Sequence, residues 1–596
     1  MPVRFVGSGH TTAHPWRPIV RSLVTIPLLV SLVGCGPSGT GLTRYPTAQA
    51  PPQGEAERAD PLIDLSFLMP RGGDSATPTP LPPALALPDA NGDIAACAFN
   101  TLRMQLVDET GAPFAAASRI AAADTWLYLL VDGSLARLDQ GAAQRGQGRV
   151  ELLVRRGDVI TGRPVQELVD LAANPDTGHI FLLDKAGHIF TYSGVTGRAV
   201  IHYRAAPEQD MDGAYEPQTV AITLGDDGKV LLLDTAHGAV WEPGGFTDLE
   251  PVSESEALTS AIDLTQAGGD LYALRIDGSV WRVVSSARAE RWGDAAGDGL
   301  GLSIKSTGHL GSEQLLVVDG LRRTVTAFEA GGDHAVTRHR FAFDGMGLLR
   351  DAEFAGDRLY ALADGDLYVH PGPAGAGGSE PCPQGLALAT APPSLYGANL
   401  LAAARTFTTP IQEMTLPVWP RLYPGASRLY RYGVHQGTDI YQWNAPEGFG
   451  VGSPVLAMGP GVIADASVDY SGVTEEDWDA MVEQANQQGL TNDELMARFL
   501  GRRVVIDHGG GIVSVYAHLD ELAPGIRPGV AVQPGSMLGT VGETGTYGEV
   551  RPGSVGGHLH FEIWVNGYYL GEGLTIRETM WWLGQVFPQA ALPEDR

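Results

Sequence analysis

Six times between Cys97 and Cys382 the chain repeats one phrase: an apolar run, a tight turn and a second run. The copies are "WLYLLVDGSLARL" from Trp126, "HIFLLDKAGHIFTY" from His179, "KVLLLDTAHGAVW" from Lys229, "DLYALRIDGSVWRV" from Asp270, "QLLVVDGLRRTVTAF" from Gln314 and "RLYALADGDLYVH" from Arg358. Their turns carry Asp132-Gly133, Gly187, Gly238, Asp277-Gly278, Asp319-Gly320 and Asp364-Gly365. Short hairpins need positive φ, which Gly supplies without a steric penalty. A lone hairpin is marginal in water, so the copies must pack on one another. The period of about 40 to 55 residues leaves room for four strands per copy. Each hairpin follows another short apolar stretch, such as "RIAAA" at Arg119 or "AIDLT" at Ala261.

The pattern resembles the broad class of six-bladed β-propellers with loose strand–turn–strand repeats. Copy six lacks a fourth strand after "DLYVH", while "AFNTLRMQLV" from Ala98 is a strand to spare. Ring closure would insert that strand into blade six and remove the open sheet edges. The repeats show no convergent acid, base or metal cluster. Asp132, Asp277 and Asp364 read as turn residues, and the propeller reads as a binding or scaffold module by analogy of fold.

The start of the chain carries a location signal. Leu23 to Val33 is a short apolar run behind Arg17 and Arg21. It is too short to span a bilayer and reads as the apolar part of a signal peptide. It ends in Leu32-Val33-Gly34-Cys35, which resembles a bacterial lipoprotein box. That resemblance implies cleavage before Cys35, lipid on its thiol, and a chain anchored to a membrane rather than spanning it. Residues 35–94, rich in Pro, Gly, Ala, Ser and Thr, read as an extended tether. With Cys35 lipidated, Cys97 and Cys382 are the remaining cysteines of three. In an oxidising compartment they are expected to form a disulfide that staples the ring.

A net charge of -29 argues against nucleic acid or an anionic membrane surface as partner. Recognition of an acidic polymer would therefore have to be local to a groove.

The last third holds the chemistry. His435 and Asp439 lie in "YGVHQGTDIY", His518 in "VYAHLDEL", and His558 and His560 in "GGHLHFEIW". Strand residues two or four apart share a face, so each pair can point at one ion. Two His and one carboxylate suit zinc and leave a fourth position for water. The surrounding motifs, "HQGTD", "GSPVLAMGPGVI", "VVIDHGGGIVSVYAHL", "VQPGSMLGTVGETG" and "GHLHFEI", occur in the order seen in lysostaphin-type zinc endopeptidases, which cut peptide cross-links of bacterial cell wall. The chain resembles that family over roughly Leu416 to Asn566. The resemblance implies one Zn2+ held by His435, Asp439 and His560, with His518 and His558 as catalytic histidines that do not bind the ion. His518 is assigned as general base and His558 as oxyanion stabiliser, a division the residues alone leave open. His508, before three glycines, reads as a turn residue. Tyr516, two before His518, should share its face, as a substrate contact or a packed strand tyrosine.

Two departures from the family stand out. Residues 473–500 read as two helices where a short turn is usual, with capping boxes at Thr474/Asp477 and Thr491/Glu494. The simpler reading is a decoration packed on the sheet edge; the sharper one is a lid or docking element. A long loop, "TYGEVRPGSVG", precedes His558 and should shape the cleft.

The expected fold is mostly β: a six-bladed β-propeller followed by an antiparallel-β zinc metallopeptidase domain with a short helical insertion. Residues 1–34 are the expected signal peptide, 95–385 the propeller, 386–404 a linker and 405–596 the endopeptidase domain. The expected function is hydrolysis of peptidoglycan peptides at the cell envelope, on the periplasmic face of the outer membrane if there are two membranes. An envelope protein is a candidate partner for the propeller. The alternatives are a non-catalytic regulator of a partner wall hydrolase and a protease acting on a Gly-rich protein.

Overall fold

The computed structural model describes residues 96–590 other than 98–100, 115, 206–218, 295–299, 308–312, 344–346, 372–399, 401–405, 418 and 553–554. The six hairpins each sit in the middle of an antiparallel sheet, and the six sheets span 117–154, 168–203, 219–254, 261–294, 301–342 and 349–370. Leu102–Gln105 completes the last of them by pairing with Asp366–His370, Leu102 opposite Val369. The ring is thus closed by the strand that lay to spare before blade one.

Cys97 does not belong to that closing strand. Ala96–Cys97 runs parallel to Val336–Ala342 on the edge of blade five, Ala96 opposite Phe341. Cys35 and Cys382 lie outside the described residues, as do the signal-peptide, tether and linker segments. Among the described residues no helix is long and apolar enough to cross a membrane.

The turns follow from their residues. Asp132 and Asp364 take left-handed φ of 46° and 52°, a region that Asp enters more readily than most side chains. Asp277 Oδ1 accepts the Ser279 N–H at 2.9 Å, an Asx turn.

The expectation of no convergent charge in the propeller is overturned. Asp170, Asp263 and Asp351 occupy one register of the innermost strands of blades two, four and six, and all are buried. Each accepts a backbone N–H from the next blade: Ile222 at 2.7 Å, Ile304 at 3.0 Å and Ile120 at 2.8 Å. Arg119 of blade one reaches Asp170 at 3.1 Å and Asp263 at 3.8 Å, and Lys305 of blade five reaches Asp351 at 2.6 Å. Alternate blades are thereby stitched to their neighbours around the axis.

The C-terminal part packs with the propeller as one compact unit. Its main antiparallel sheet orders Thr438–Ile440, Leu559–Val565, Ile512–Ala517, Val504–Gly509, Gly461–Ala466 and Ala531–Val532. A three-stranded sheet of Pro454–Leu456, Met537–Val541 and Leu519–Leu522 lies beside it. Phe561, Ile563, Tyr516 and Ile506 share a core with Trp582, Leu583 and Phe587. The last helix, Ile576–Val586, starts on a capping box of Thr575 and Glu578. Glu578 also pairs with the buried Arg350 of blade six at 3.2 Å, which ties the two halves together.

Residues 473–500 contain the helices Glu475–Gln488 and Asp493–Phe499. The first starts on the Thr474/Asp477 box. The second is capped by Asn492, whose side chain accepts from Leu495 N, and not by Thr491. The Thr491 hydroxyl is engaged elsewhere, donating to the Arg431 carbonyl.

Candidate metal centre

Strand register brings the first two site residues together. Asp439 stands directly opposite His560, with Thr438 opposite Phe561. On the other side His560 pairs with Ala517, the residue before His518. His435 enters from just beyond the short strand Gly433–Val434. Gly437 lets this approach happen: a Cβ there would lie 2.5 Å from His560 Nε2 and from the Phe561 carbonyl.

His435 Nε2, Asp439 Oδ1 and His560 Nδ1 form a triangle with edges of 2.9, 2.9 and 3.0 Å. All three residues are buried. Donors on a tetrahedral zinc at 2.0–2.1 Å stand about 3.3–3.4 Å apart, a few tenths of an ångström wider. The far sides of the rings fix their tautomers. His435 Nδ1 lies 3.1 Å from the Tyr423 carbonyl, which can only accept, so Nδ1 carries the proton and Nε2 presents a lone pair. His560 Nε2 lies 3.0 Å from Glu562 Oε1, so its Nδ1 likewise turns a lone pair inward. A carboxylate behind a ligating imidazole is a usual device for orienting the ring and raising its basicity.

The electrostatics call for a cation. Burial and the Arg428 guanidinium push the His435 pKa down to about 3. Burial also opposes charge on His560, but the Asp439 and Glu562 carboxylates outweigh it and raise that pKa to about 9. Burial works against the Asp439 carboxylate too, yet His435 and His560 hold it well below its usual value. With His560 neutral, two imidazole lone pairs and one carboxylate face a single point, a donor set that suits a divalent ion.

His518 and His558 complete the group. His518 has φ 60°, a left-handed backbone that a non-glycine residue adopts at a cost. That twist breaks strand alternation, so Tyr516 does not share its face. Tyr516 is fully buried in the core, where its hydroxyl accepts Met458 N–H at 2.7 Å. His518 instead turns to the site, its ring 4.9 Å from His558 and 5.3 Å from His560. Its Nδ1 donates to Thr544 O at 2.8 Å, and His558 Nδ1 donates to Gly556 O at 3.0 Å. Each ring thus keeps Nε2 free. Burial, then the neighbouring His558 and His560, hold His518 well below its usual pKa, while burial lowers His558. His508 stays away from this group, bonded to Pro460 O and Ser514 Oγ at 2.8 Å each.

The histidines line a pocket of about 180 Å³. Trp478, Met496, Phe499 and Leu500 of the helical insertion form part of its wall, with Tyr547 from the loop before His558. The insertion packs on the main sheet, Met496 and Leu500 against Val505, Val513 and Val515, and also borders the cleft, where Trp478 stacks on Tyr430 at 5.9 Å beside Phe499. Several site neighbours escaped the sequence reading. Glu562 could have been found, since it shares the His560 face by alternation. Arg428, 3.3 Å from Asp439, comes from a segment without a periodic signal, whereas Tyr441, stacked on His558 at 4.4 Å, stands two residues after Asp439 and was open to the same alternation argument.

Residues 433–571 match Peptidase family M23, and this segment is a lysostaphin-type M23 domain. The chain aligns with virginiamycin B lyase from Staphylococcus aureus at 11% identity over 45% of this chain and 98% of that one, at a TM-score of 0.32. The catalytic domain of the prophage-encoded M23 protein EnpA from Enterococcus faecalis aligns with 20% identity over 23% of this chain and 76% of that one, at a TM-score of 0.15. No curated protein matches the chain.

Proposed function

We propose that the chain is a zinc-dependent endopeptidase that hydrolyses peptide cross-links of bacterial peptidoglycan, with the reaction at the pocket beside His435, Asp439 and His560. The observation that carries this reading is the triangle itself: three buried lone-pair donors converge, and two further imidazoles border an open pocket next to it. The M23 match supports a metallopeptidase of the peptidoglycan-hydrolase type.

When bound, zinc supplies a Lewis acid and lowers the pKa of water to about 7. The remaining work falls to the protein. His518, neutral and anchored through Nδ1 to Thr544, offers Nε2 as the base that takes the attacking water's proton and returns it to the leaving amine. His558, with its Nδ1–H on Gly556 O, donates from Nε2 as the imidazolium, a form that the nearby Asp439 carboxylate favours against burial. That suits it to donate a hydrogen bond to the scissile carbonyl oxygen as negative charge grows there. Tyr441, stacked flat on His558, keeps the ring in place. The insertion helices wall the pocket on one side.

Lipid at Cys35, which the resemblance to a lipoprotein box implies, would place the enzyme at the cell envelope, facing the wall. The test is digestion of purified peptidoglycan by the full chain loaded with zinc, with products identified by mass. New peptide ends at one bond type support the reading and name the bond. Cleavage confined to a Gly-rich protein would move the substrate class, and no cleavage of either with zinc bound would favour a regulator.

A further inference from the structure

The loop that carries His435 lies between the metal triangle and the propeller. Its entry strand, Ser427–Arg428, pairs with Gly433–Val434. The Ser427 hydroxyl donates to the carbonyl of Lys185 on blade two. Leu429 sits in a blade-two and blade-three apolar cluster with Phe181, Ile189 and Ile222. Tyr432, three residues before His435, is held in the left-handed region at φ 45° and ψ 47°. A non-glycine residue stays there only when its surroundings over-determine it. Those surroundings come largely from the propeller. Gln166 Nε2 donates to Tyr432 O at 2.7 Å, the Arg163 guanidinium lies 4.9 Å over the Tyr432 ring, and His188 packs at 5.8 Å. The same Tyr432 carbonyl accepts Thr491 N–H at 3.2 Å, and Arg163 reaches the carbonyl of Asn486 in the insertion at 3.4 Å. Propeller, ligand loop and pocket wall thus meet at one backbone carbonyl.

We propose that the propeller is a working part of the metal centre, with Gln166 and Arg163 as positioning residues that set Tyr432 and, through it, the reach of His435 into the triangle. Downstream of Tyr432 the path is short: His435 N–H donates to Ala426 O at 2.8 Å and His435 O accepts Gly425 N–H at 2.7 Å. Releasing Tyr432 lets this hairpin relax towards ordinary φ and swings His435 away from Asp439 and His560. The inference rests on the metal-site reading above, not on the identity of the substrate.

The test uses the full chain, freed of metal and titrated with zinc against a chromogenic chelator. Gln166→Glu keeps the size of the side chain but removes its N–H donor; Arg163→Ala removes the stack. Each variant should bind zinc about two- to tenfold more weakly, with no more than a small fall in melting temperature. Arg103→Ala, which breaks an exposed ion pair to Asp366 on blade six, is the control and should leave affinity alone. Wild-type protein gives a second readout by reciprocity: zinc should slow amide hydrogen exchange in segment 159–190 but not in blade five. Affinities within twofold of wild type in both variants and the double variant, with exchange in 159–190 unmoved by zinc, would overturn the inference. Wild-type protein that binds zinc but cleaves no wall would sink the proposed reaction and leave this inference standing.

Discussion

Asp170 and Asp263 in the propeller and Asp439 in the peptidase domain are all buried, yet their carboxyls shift in opposite directions. Burial raises the pKa of Asp263 to about 7 and raises that of Asp170, outweighing the Arg119 guanidinium that pulls both down. Asp439 is held well below its usual value by the two imidazoles beside it. The propeller acids spend their lone pairs on backbone N–H groups of neighbouring blades, so their charge is consumed in holding the ring together. Asp439 and its histidines turn theirs toward one point instead. Burial of a charge therefore says little by itself; where its lone pairs point separates a structural acid from a ligand.

Removing one acid from each region should break that comparison most sharply. Asp439→Ala is expected to weaken zinc binding by about a thousandfold or more and to abolish hydrolysis, since losing even an outer partner of a ligand costs 10–100-fold. The metal-free protein should also lose stability, because Arg428 and His560 lose a buried partner. His518→Asn, chosen because Asn tolerates the left-handed backbone, should lower kcat by about 10²–10⁴-fold with zinc affinity and stability unchanged. Asp351→Ala should do the reverse. It leaves Lys305 and the Ile120 N–H without their partner and should cost about 3–5 kcal/mol in denaturant unfolding, with zinc affinity unchanged.

The smallest expected effect lies between the regions. Burial, helped by Arg163 and Arg204, depresses the His188 pKa to about 3. A histidine depressed in the fold contributes stability that is complete above its unfolded value near 6.5 and is lost as pH falls from there toward 3. Full-chain melting should therefore drop on acidification below about pH 6.5. His188→Asn should flatten that slope by up to about 1.4 kcal/mol per pH unit. An unchanged slope would remove His188 from the account.

What was legible in the sequence was what is local. Six hairpins could be read because turn chemistry and alternation lie within a dozen residues of each other, and the ring closure followed from counting strands. The five clustered residues were picked out by the order of the motifs that carry them rather than by alternation alone, since His435 lies outside the strand that holds Asp439. The propeller's acids were missed although "LVDLA", "AIDLT" and "LRDAE" place them at one register. Each looks like an isolated strand Asp until the ring brings the three together. Tyr516 was assigned to the wrong face because alternation stops at His518, where the backbone turns left-handed. The insertion's place on the cleft is a tertiary fact: its amphipathic spacing revealed helices but not which surface they cover. Gln166 and Arg163 gave no signal at all, because their partner Tyr432 lies more than two hundred residues away in the chain.

The central claim is that one zinc ion sits among His435, Asp439 and His560. A zinc-edge anomalous difference map from crystals of the full chain tests it directly. The account predicts a single strong peak about 2.0–2.2 Å from His435 Nε2, Asp439 Oδ1 and His560 Nδ1, with His518 and His558 outside bonding distance. No peak there at saturating zinc, or one bonded to His518 or His558 in place of these ligands, would contradict it.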